Sequence, residues 1–394
     1  MQAVSLQGDE RSDAPERLGR RPALDGLRGI AVLLVIAIHV GLLASGYVGV
    51  DMFFALSGFL ITALLYEEWE TTGSFSLRRF YQRRARRLLP ALWTLVLGFA
   101  LVVVLLHPFG EPWPLRRVVA ATLLFVNNWV TTLAPRHGAV LGALVPTWTL
   151  AEEVQFYLIW PLVLWVLLRR RAAPRVVLVL LALAILSLIA LSVVMRHVYP
   201  QYNSYTSPLD RGSELLLGSA AAIVWRERLL PSWLRRPLVG WLSAGGLVFV
   251  IVRGDTPHRW WYLPAALLAA TLIVNLLSYE RRWSATTGAA RRAPARERLL
   301  KRALRARPLG YIGRISYGIY LYHVPIYYLL WVYVPVPGRS RYLYGAMVLM
   351  ASVAAAAASW KLIESPIRRS DPRALLPKVR WAMRLPWRLS FRGD

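Results

Sequence analysis

The 394-residue chain contains no cysteine, and its acidic residues are scarce beside the basic ones. Without cysteine it has no disulfide, no thiolate metal ligand and no cysteine nucleophile. Aspartate and glutamate number 21 against 48 lysines and arginines, which gives a formal net charge of +27. The six histidines are scattered along the chain. No two of them are at the spacing of metal ligands, so we expect no metal site and no tightly bound cofactor.

The first twenty residues lack the short apolar core and the small-residue cleavage site of a signal peptide, so no removable leader is expected. Apolar residues are abundant, at 56% of the chain. They occur in blocks of about 15 to 22 residues, the length that crosses a bilayer. The blocks predict an all-α polytopic membrane helix bundle of about ten transmembrane helices, at 28–45, 48–66, 90–107, 147–168, 175–195, 213–226, 237–252, 261–278, 310–332 and 343–363.

A soluble protein this basic would suggest a nucleic-acid partner. Here the arginines cluster between apolar blocks, with six of them from Arg78 to Arg87. This is the pattern of cytoplasmic loops in membrane proteins, so we expect a lipid bilayer and no nucleic acid. The oligomeric state is not readable from the sequence.

One further apolar block, near 118–131, is short and contains Asn127 and Asn128. If it crossed the membrane, the basic loop 169–175 would lie outside, against the positive-inside rule. We therefore predict a short re-entrant or surface helix there, and a multi-pass protein of the plasma membrane with both termini cytoplasmic. The expected organisation is a cytoplasmic segment 1–21, a membrane domain 22–369 with a mobile basic cytoplasmic loop 279–309, and a basic cytoplasmic tail 370–394.

Ionisable residues inside the spans are the candidate functional residues, because they are costly there. Arg28 and His39 are eleven residues apart, so they share one helix face about 16 Å apart along the axis. Asp51 follows a short hairpin and is expected beside His39, where a carboxylate would fix the imidazole tautomer for general-base catalysis. The alternative is that Asp51 caps the second helix.

Further polar groups lie in later spans. Glu153 and Gln155 lie in the first turns of one span, where acids are also favoured by the helix dipole. Arg211, at the start of another, belongs either to a site or to an interfacial ion pair. Tyr320 and His323 share one helix face with Ser316 and are either a functional lining or interhelical hydrogen bonds.

Five motifs, in order, resemble the membrane-bound acyltransferase-3 family over most of the chain, from Pro22 to Arg369. Each alone is weak, but together on a ten-span chain they are specific. The matching positions are Arg28 with His39; the hairpin from Gly46 to Phe59; Phe80, Arg83, Arg84, Arg87 and Pro90; Trp148, Leu150, Glu153, Gln155, Phe156 and Tyr157; and Ser316, Tyr317, Tyr320, Leu321, His323 and Pro325.

The resemblance implies that an acyl group, often acetyl, passes from acyl-CoA as co-substrate to a hydroxyl. The acceptor would be a glycan, a lipid-linked sugar or a glycosylated metabolite. The hypothesis is that His39 acts as general base, oriented by Asp51 with Glu153 nearby. A transient acyl-histidine is the alternative. Guanidinium groups suit phosphate, so the basic loop would hold the CoA phosphates. The expected donor and substrate contacts are Arg28, Arg83, Arg84, Arg87, Trp148, Gln155, Tyr157, Arg211, Tyr320 and His323.

A transporter or flippase of an acyl or glycan substrate is the competing interpretation, because polar residues at mid-depth also mark transport paths. The formation of an acylated product from acyl-CoA separates the two.

Overall fold

The computed structural model describes residues 18–106, 115–133, 139–254, 259–284, 295–335 and 340–369. Within these ranges the chain is helical and has no β-strand, which confirms the all-α prediction. The predicted tail 370–394 and most of the segment 1–21 lie outside the described residues. The α-helices are α1 (Pro22–His39), α2 (Val48–Thr72), α3 (Leu77–Leu106), α4 (Leu115–Leu123), α5 (Asn127–Leu133), α6 (Thr147–Arg169), α7 (Pro174–Val198), α8 (Pro208–Arg226), α9 (Pro237–Arg253), α10 (Arg259–Ser284), α11 (Ala295–Leu304), α12 (Arg307–Arg314), α13 (Ser316–Tyr333), α14 (Arg341–Ser359) and α15 (Ser365–Arg369).

Seven helical stretches of the described chain are long and apolar enough to cross a membrane. They are Pro22–His39, Ala44–Thr72, Leu77–Leu106, Thr147–Arg169, Pro174–Val198, Trp260–Ser278 and Arg341–Arg369. The other three predicted spans correspond to α8, α9 and α13. Of these, α9 is apolar but shorter than the seven. A polytopic bundle is therefore supported, and ten crossings stay a prediction.

The surface of the bundle fits a lipid environment. Large apolar side chains are exposed along α3 and α7, among them Leu97, Leu105 and Leu186. An apolar surface of this kind is stable only where lipid or another protein covers it.

The arginine-rich segment was expected to be a loop, and this expectation is wrong. Residues 77–106 form one continuous helix, α3, which contains Pro90. Arginine and leucine are good helix formers, so the helix begins in the basic segment and continues into the apolar block. Helical spacing places Arg83, Arg84 and Arg87 on adjoining positions of the helix surface. The basic groups are therefore held on a rigid element.

The structure describes part of the interval 279–309, which was expected to be a mobile loop, and residues 285–294 lie outside the described residues. The interval contains the end of α10, all of α11 and the start of α12. At Gly26 of α1, any side chain would overlap the carbonyl oxygen of Leu304, so α1 and the end of α11 meet backbone to backbone. The end of α11 thus packs against the helix that carries Arg28.

The short block near 118–131 forms two helices, α4 and α5, of nine and seven residues. At 1.5 Å per residue neither spans a bilayer, which agrees with a re-entrant or surface segment. Phe125 between them has a left-handed backbone, with φ of 54°, and turns the chain. Asn128 at the start of α5 is buried against α6. The segment therefore contributes a buried hydrogen-bond donor, Asn128, to the interior of the bundle.

Close packing around α2 brings the polar helices together. A side chain at Gly49 would overlap the carbonyl oxygen of Ala31 on α1, and one at Gly58 would overlap that of Leu215 on α8. Small residues at helix crossings allow this approach in membrane proteins. As a result α2 packs closely against both α1 and α8, and Asp51 of α2 and Arg211 of α8 are buried between the helices.

Candidate active site

The last turn of α1 carries a histidine that meets a second histidine from α13. His39 Nδ1 lies 2.8 Å from the carbonyl oxygen of Val35 and 3.3 Å from His323 Nε2. The two rings meet edge to face with centroids 4.8 Å apart. His323 is fully buried, whereas His39 is half-buried. Within the pair, His323 is shielded from solvent, whereas His39 remains partly accessible.

The same two helices meet again about three turns earlier in α1. Arg28 Nε donates to Ser316 Oγ at 3.4 Å. Arg28 precedes His39 on α1 and Ser316 precedes His323 on α13, so the two helices run parallel. This agrees with the expected topology, in which they are the first and ninth crossings. It also confirms that each pair of residues shares one helix face.

A narrow cavity of about 70 Å³ begins beside Arg28. Six of the predicted site residues line it, namely Arg28, Arg84, Arg87, Glu153, Tyr157 and Tyr320.

Hydrogen bonds and ring contacts fix the cavity wall. The hydroxyl of Tyr157 donates to Glu153 Oε2 at 2.9 Å and is hydrogen-bonded to Ser57. The ring of Tyr320 lies 5.5 Å from that of His323, centroid to centroid. Tyr320 therefore forms a common wall between the cavity and the histidine pair.

The basic face of α3 continues this cavity towards the surface. An open groove of about 620 Å³ is lined by Arg83, Arg84, Arg86, Arg87 and Arg368, together with Glu67 and Glu68. Arg84 and Arg87 line both the groove and the cavity. A polyanion held in the groove would therefore lie at the mouth of the cavity.

Asp51 does not pair with His39 as the sequence suggested. Its carboxylate accepts from Arg211 Nη2 at 2.6 Å, and Arg211 Nη1 lies 2.9 Å from Glu214 Oε1. All three side chains are 0% exposed. The physical reason is charge: a buried carboxylate gains more from a guanidinium than from a neutral imidazole. His323 occupies the position beside His39 that Asp51 was expected to take.

Aromatic rings enclose this buried ion pair. The Arg211 guanidinium carbon lies 4.2 Å from the Tyr262 ring centroid, 5.6 Å from that of Tyr205 and 5.8 Å from that of Trp148. Burial raises the pKa of Tyr205 to about 12, so its hydroxyl stays neutral. Trp148 and Arg211, both expected to contact substrate, thus belong to a closed cluster together with Asp51.

Gln155 and Glu152 form a third polar group. Asn128 Nδ2 donates to Glu152 Oε2 at 2.8 Å and to Gln155 Oε1 at 3.0 Å. Gln155 Nε2 in turn donates to the carbonyl oxygen of Phe125 at 2.8 Å. Gln155 is therefore engaged in holding the short helix α5 and does not line the cavity.

Comparison with known proteins identifies the family. Residues 21–363 match the acyltransferase-3 family model, which is described as an acyltransferase domain. The chain belongs to the acyltransferase-3 family. The match covers the histidine pair, the cavity and the basic groove except for Arg368.

Three curated relatives of this acyltransferase-3 chain are similar in sequence. Peptidoglycan O-acetyltransferase OatA of Listeria monocytogenes is 31% identical over 365 residues, 89% of this chain and 56% of the relative. O-acetyltransferase OatA of Staphylococcus aureus is 30% identical, over 91% of this chain and 59% of the relative. The putative peptidoglycan O-acetyltransferase YrhL of Bacillus subtilis is 32% identical, over 91% and 56%. The chain thus spans somewhat more than half the length of these relatives. No solved structure matches it.

Sequence reasoning missed several residues of the acyltransferase-3 site. Ser57 lies in the cavity wall, and Arg86 and Arg368 line the groove. The hydroxyl of Ser57 in an otherwise apolar span was a usable signal. Arg368 was not foreseeable, because it comes from α15, nearly 300 residues after the groove's other arginines.

Proposed function

We propose that this chain is a membrane O-acyltransferase that moves an acyl group, acetyl in the first instance, from acyl-CoA to a hydroxyl of a glycan. The observation that carries the proposal is the continuous series of sites from the arginine groove, through the cavity, to the histidine pair. Arg84 and Arg87 belong to the groove and the cavity, and Tyr320 belongs to the cavity and contacts His323. A donor with an anionic head and a thin reactive arm fits this series.

The groove is proposed to hold the phosphates of CoA. Arg83 is exposed and pairs with Glu68 at 2.8 Å, whereas Arg84 is half-buried against the rings of Phe80 and Tyr157. Guanidinium groups bind phosphate through paired hydrogen bonds. Since CoA is cytoplasmic, the groove would face the cytoplasm, and both termini with it. The pantetheine arm would enter past Arg84 and Arg87, with Arg28 further along its path.

The proposed reaction uses His39 as general base. The acceptor hydroxyl gives its proton to His39 Nε2, and its oxygen attacks the thioester carbonyl carbon. A C–O bond forms, the C–S bond breaks, and the CoA thiolate leaves and takes the proton back from His39. A positioned base of this kind typically contributes roughly 10²- to 10⁴-fold to the rate. In the alternative route, His39 Nε2 attacks the thioester carbonyl carbon, the C–S bond breaks and the CoA thiolate leaves. The acceptor hydroxyl then attacks the acyl-histidine, the C–N bond breaks, and the hydroxyl proton passes to the thiolate.

The acceptor is proposed from the relatives. Their names describe peptidoglycan O-acetyltransferases. Muropeptides are therefore the first acceptors to test here, followed by lipid-linked sugars and glycosylated metabolites. The half-buried position of His39, beyond the end of the cavity, suits an acceptor that arrives from the side opposite to the groove.

The test is acyl transfer by purified protein in nanodiscs, with acetyl-CoA labelled on the acetyl group and muropeptides as acceptor. We expect ester-linked label and CoA release from the wild type, and a loss of roughly 10²-fold or more in His39→Gln. His197→Gln is the matched control, because His197 is exposed at the end of α7 and outside the cavity. An unchanged rate in His39→Gln would overturn the mechanism. Movement of substrate without ester formation would favour a transporter.

A further inference from the structure

The mechanism above uses one histidine of a pair and leaves the second without a role. His323 is fully buried, and its polar contacts are to the backbone of Tyr320 and Ile319 and to His39. A histidine placed here only to fill space would not need these contacts. Its hydrogen-bond partners determine which ring nitrogen carries the proton, and hence what it can do for His39.

The tautomer of His323 follows from its neighbour on the same helix. Its Nδ1 lies 2.6 Å from the carbonyl oxygen of Tyr320. A carbonyl oxygen only accepts, so Nδ1 must carry the proton and donate it. A second proton would charge a ring that has no access to water, which is costly without a paired anion. His323 is therefore neutral, and its Nε2 presents a lone pair.

The tautomer of His39 follows in the same way. Its Nδ1 faces the carbonyl oxygen of Val35 at 2.8 Å, so this nitrogen also carries the proton. The Val35 oxygen and the lone pair of His323 Nε2 share this N–H as a bifurcated hydrogen bond, with 3.3 Å between His323 Nε2 and His39 Nδ1. Had His323 Nε2 carried the proton instead, the His323 Nδ1 lone pair would point at the Tyr320 oxygen. Both carbonyls thus lead to one arrangement, in which His39 Nε2 is unprotonated.

We propose that His323 is a positioning residue for the acyl transfer: its Nε2 lone pair accepts the Nδ1–H of His39, orients the ring and stabilises the positive charge formed when His39 Nε2 takes the acceptor's proton. This inference rests on the proposed function, in which His39 is the base. It assigns to a neutral imidazole the part that a carboxylate takes in many catalytic triads. A neutral partner suits this depth, because a buried carboxylate would need a charge partner of its own.

Two variants of similar size separate positioning from packing. His323→Gln keeps a side-chain oxygen near the place of Nε2, and His323→Leu fills the same space without an acceptor. We expect His323→Leu to lower kcat at least about 10-fold, with the KM for acetyl-CoA nearly unchanged. His323→Gln should recover most of this loss. Both are compared at equal amounts of folded protein, judged by thermal unfolding in nanodiscs.

A spectroscopic measurement on the wild type tests the same inference without any turnover. Nitrogen-15 spectra of histidine-labelled protein distinguish protonated from unprotonated ring nitrogens, and the six histidine signals are assigned by single substitutions. We expect His323 to be protonated at Nδ1 and unprotonated at Nε2. A protonated His323 Nε2 would overturn the inference, even if His323→Leu failed to fold.

The two failures are distinguishable. If His323→Leu turns over like the wild type while His39→Gln is inactive, His323 has no positioning role and the proposed function stands. If His39→Gln also turns over at the wild-type rate, His39 is not the base, and the positioning role of His323 fails with it. If the wild type itself forms no acylated product from acetyl-CoA, the proposed function fails.

Discussion

Two buried polar centres lie in the same helix bundle, and they are built differently. In the closed centre, Arg211 is paired with Asp51 and Glu214, and all three are 0% exposed. In the open centre, His39 contacts His323 through its Nδ1 atom, and its side chain remains half-buried. The closed centre places one guanidinium between two carboxylates, whereas the open centre consists of two imidazole rings with one ring nitrogen of His39 available. Under the proposed mechanism, strong charge inside the membrane protein does not by itself mark the reacting group.

The difference predicts separate consequences for the two centres. Changes in the closed centre should lower stability and leave turnover per folded molecule largely intact. Changes in the open centre and its cavity should alter kinetics at unchanged stability.

The largest effect on stability is expected at Arg211. Arg211→Leu leaves two buried carboxylates without their cation, which typically costs about 3–5 kcal/mol. The yield of folded protein and the unfolding temperature should both fall sharply. Arg20→Leu is the matched control, since the Arg20–Asp25 pair lies at the surface and should contribute about 0–1 kcal/mol. Equal stability of the two variants would contradict the distinction.

The next largest effect is expected at Gly58, which brings α2 against α8. A methyl group there overlaps the carbonyl oxygen of Leu215, so Gly58→Ala should destabilise the protein by about 1–3 kcal/mol. At Gly98 a methyl group meets no atom within 4 Å, so Gly98→Ala should unfold at the wild-type temperature or slightly above it. A Gly58→Ala protein as stable as Gly98→Ala would show that the helices are less tightly joined.

A kinetic effect is expected at Arg84, which lines both groove and cavity. Arg84→Gln removes one charged contact to the donor phosphates and should raise the KM for acetyl-CoA roughly 10-fold. Unfolding temperature should not fall. Arg79→Gln serves as the control, because Arg79 contacts Glu68 at 3.7 Å and does not line the groove. A similar KM in both variants would contradict donor binding at Arg84.

The smallest effect is expected at Tyr157. Tyr157→Phe removes the hydroxyl shared by Glu153 and Ser57 in the cavity wall. One neutral hydrogen bond of this kind is worth about 1 kcal/mol, so kcat/KM should fall about 5-fold. Tyr81→Phe removes a hydroxyl that contacts the carbonyl oxygen of Leu158 outside the cavity, and should leave kcat/KM unchanged. Identical kinetics in both variants would remove Tyr157 from the donor path.

Much of the fold could be predicted from the sequence, because apolar blocks of spanning length have few other uses. The shared faces of Arg28 with His39, and of Ser316 with His323, followed from helical periodicity alone. Helix pairing did not follow. The hairpin between α1 and α2 made Asp51 a natural partner for His39, since sequence proximity was the only guide to distance.

The partner found in the structure comes from α13, some 280 residues later in the chain. Likewise, Asp51 meets Arg211 because α2 and α8 pack together at Gly58. Contacts between distant segments depend on such packing, and a single sequence does not encode them in any local pattern. The basic helix in place of a loop was a different error, since arginine was taken as a topological signal and its helix propensity was neglected.

The most direct test of the two-centre account compares His39→Gln with Asp51→Asn in one assay. Labelled acetyl-CoA and acceptor are supplied to both variants in nanodiscs, and turnover is divided by the folded fraction from thermal unfolding. The account predicts that His39→Gln unfolds like the wild type and turns over little, whereas Asp51→Asn unfolds earlier and keeps most of its turnover per folded molecule. A stable Asp51→Asn without turnover, beside an active His39→Gln, would contradict it.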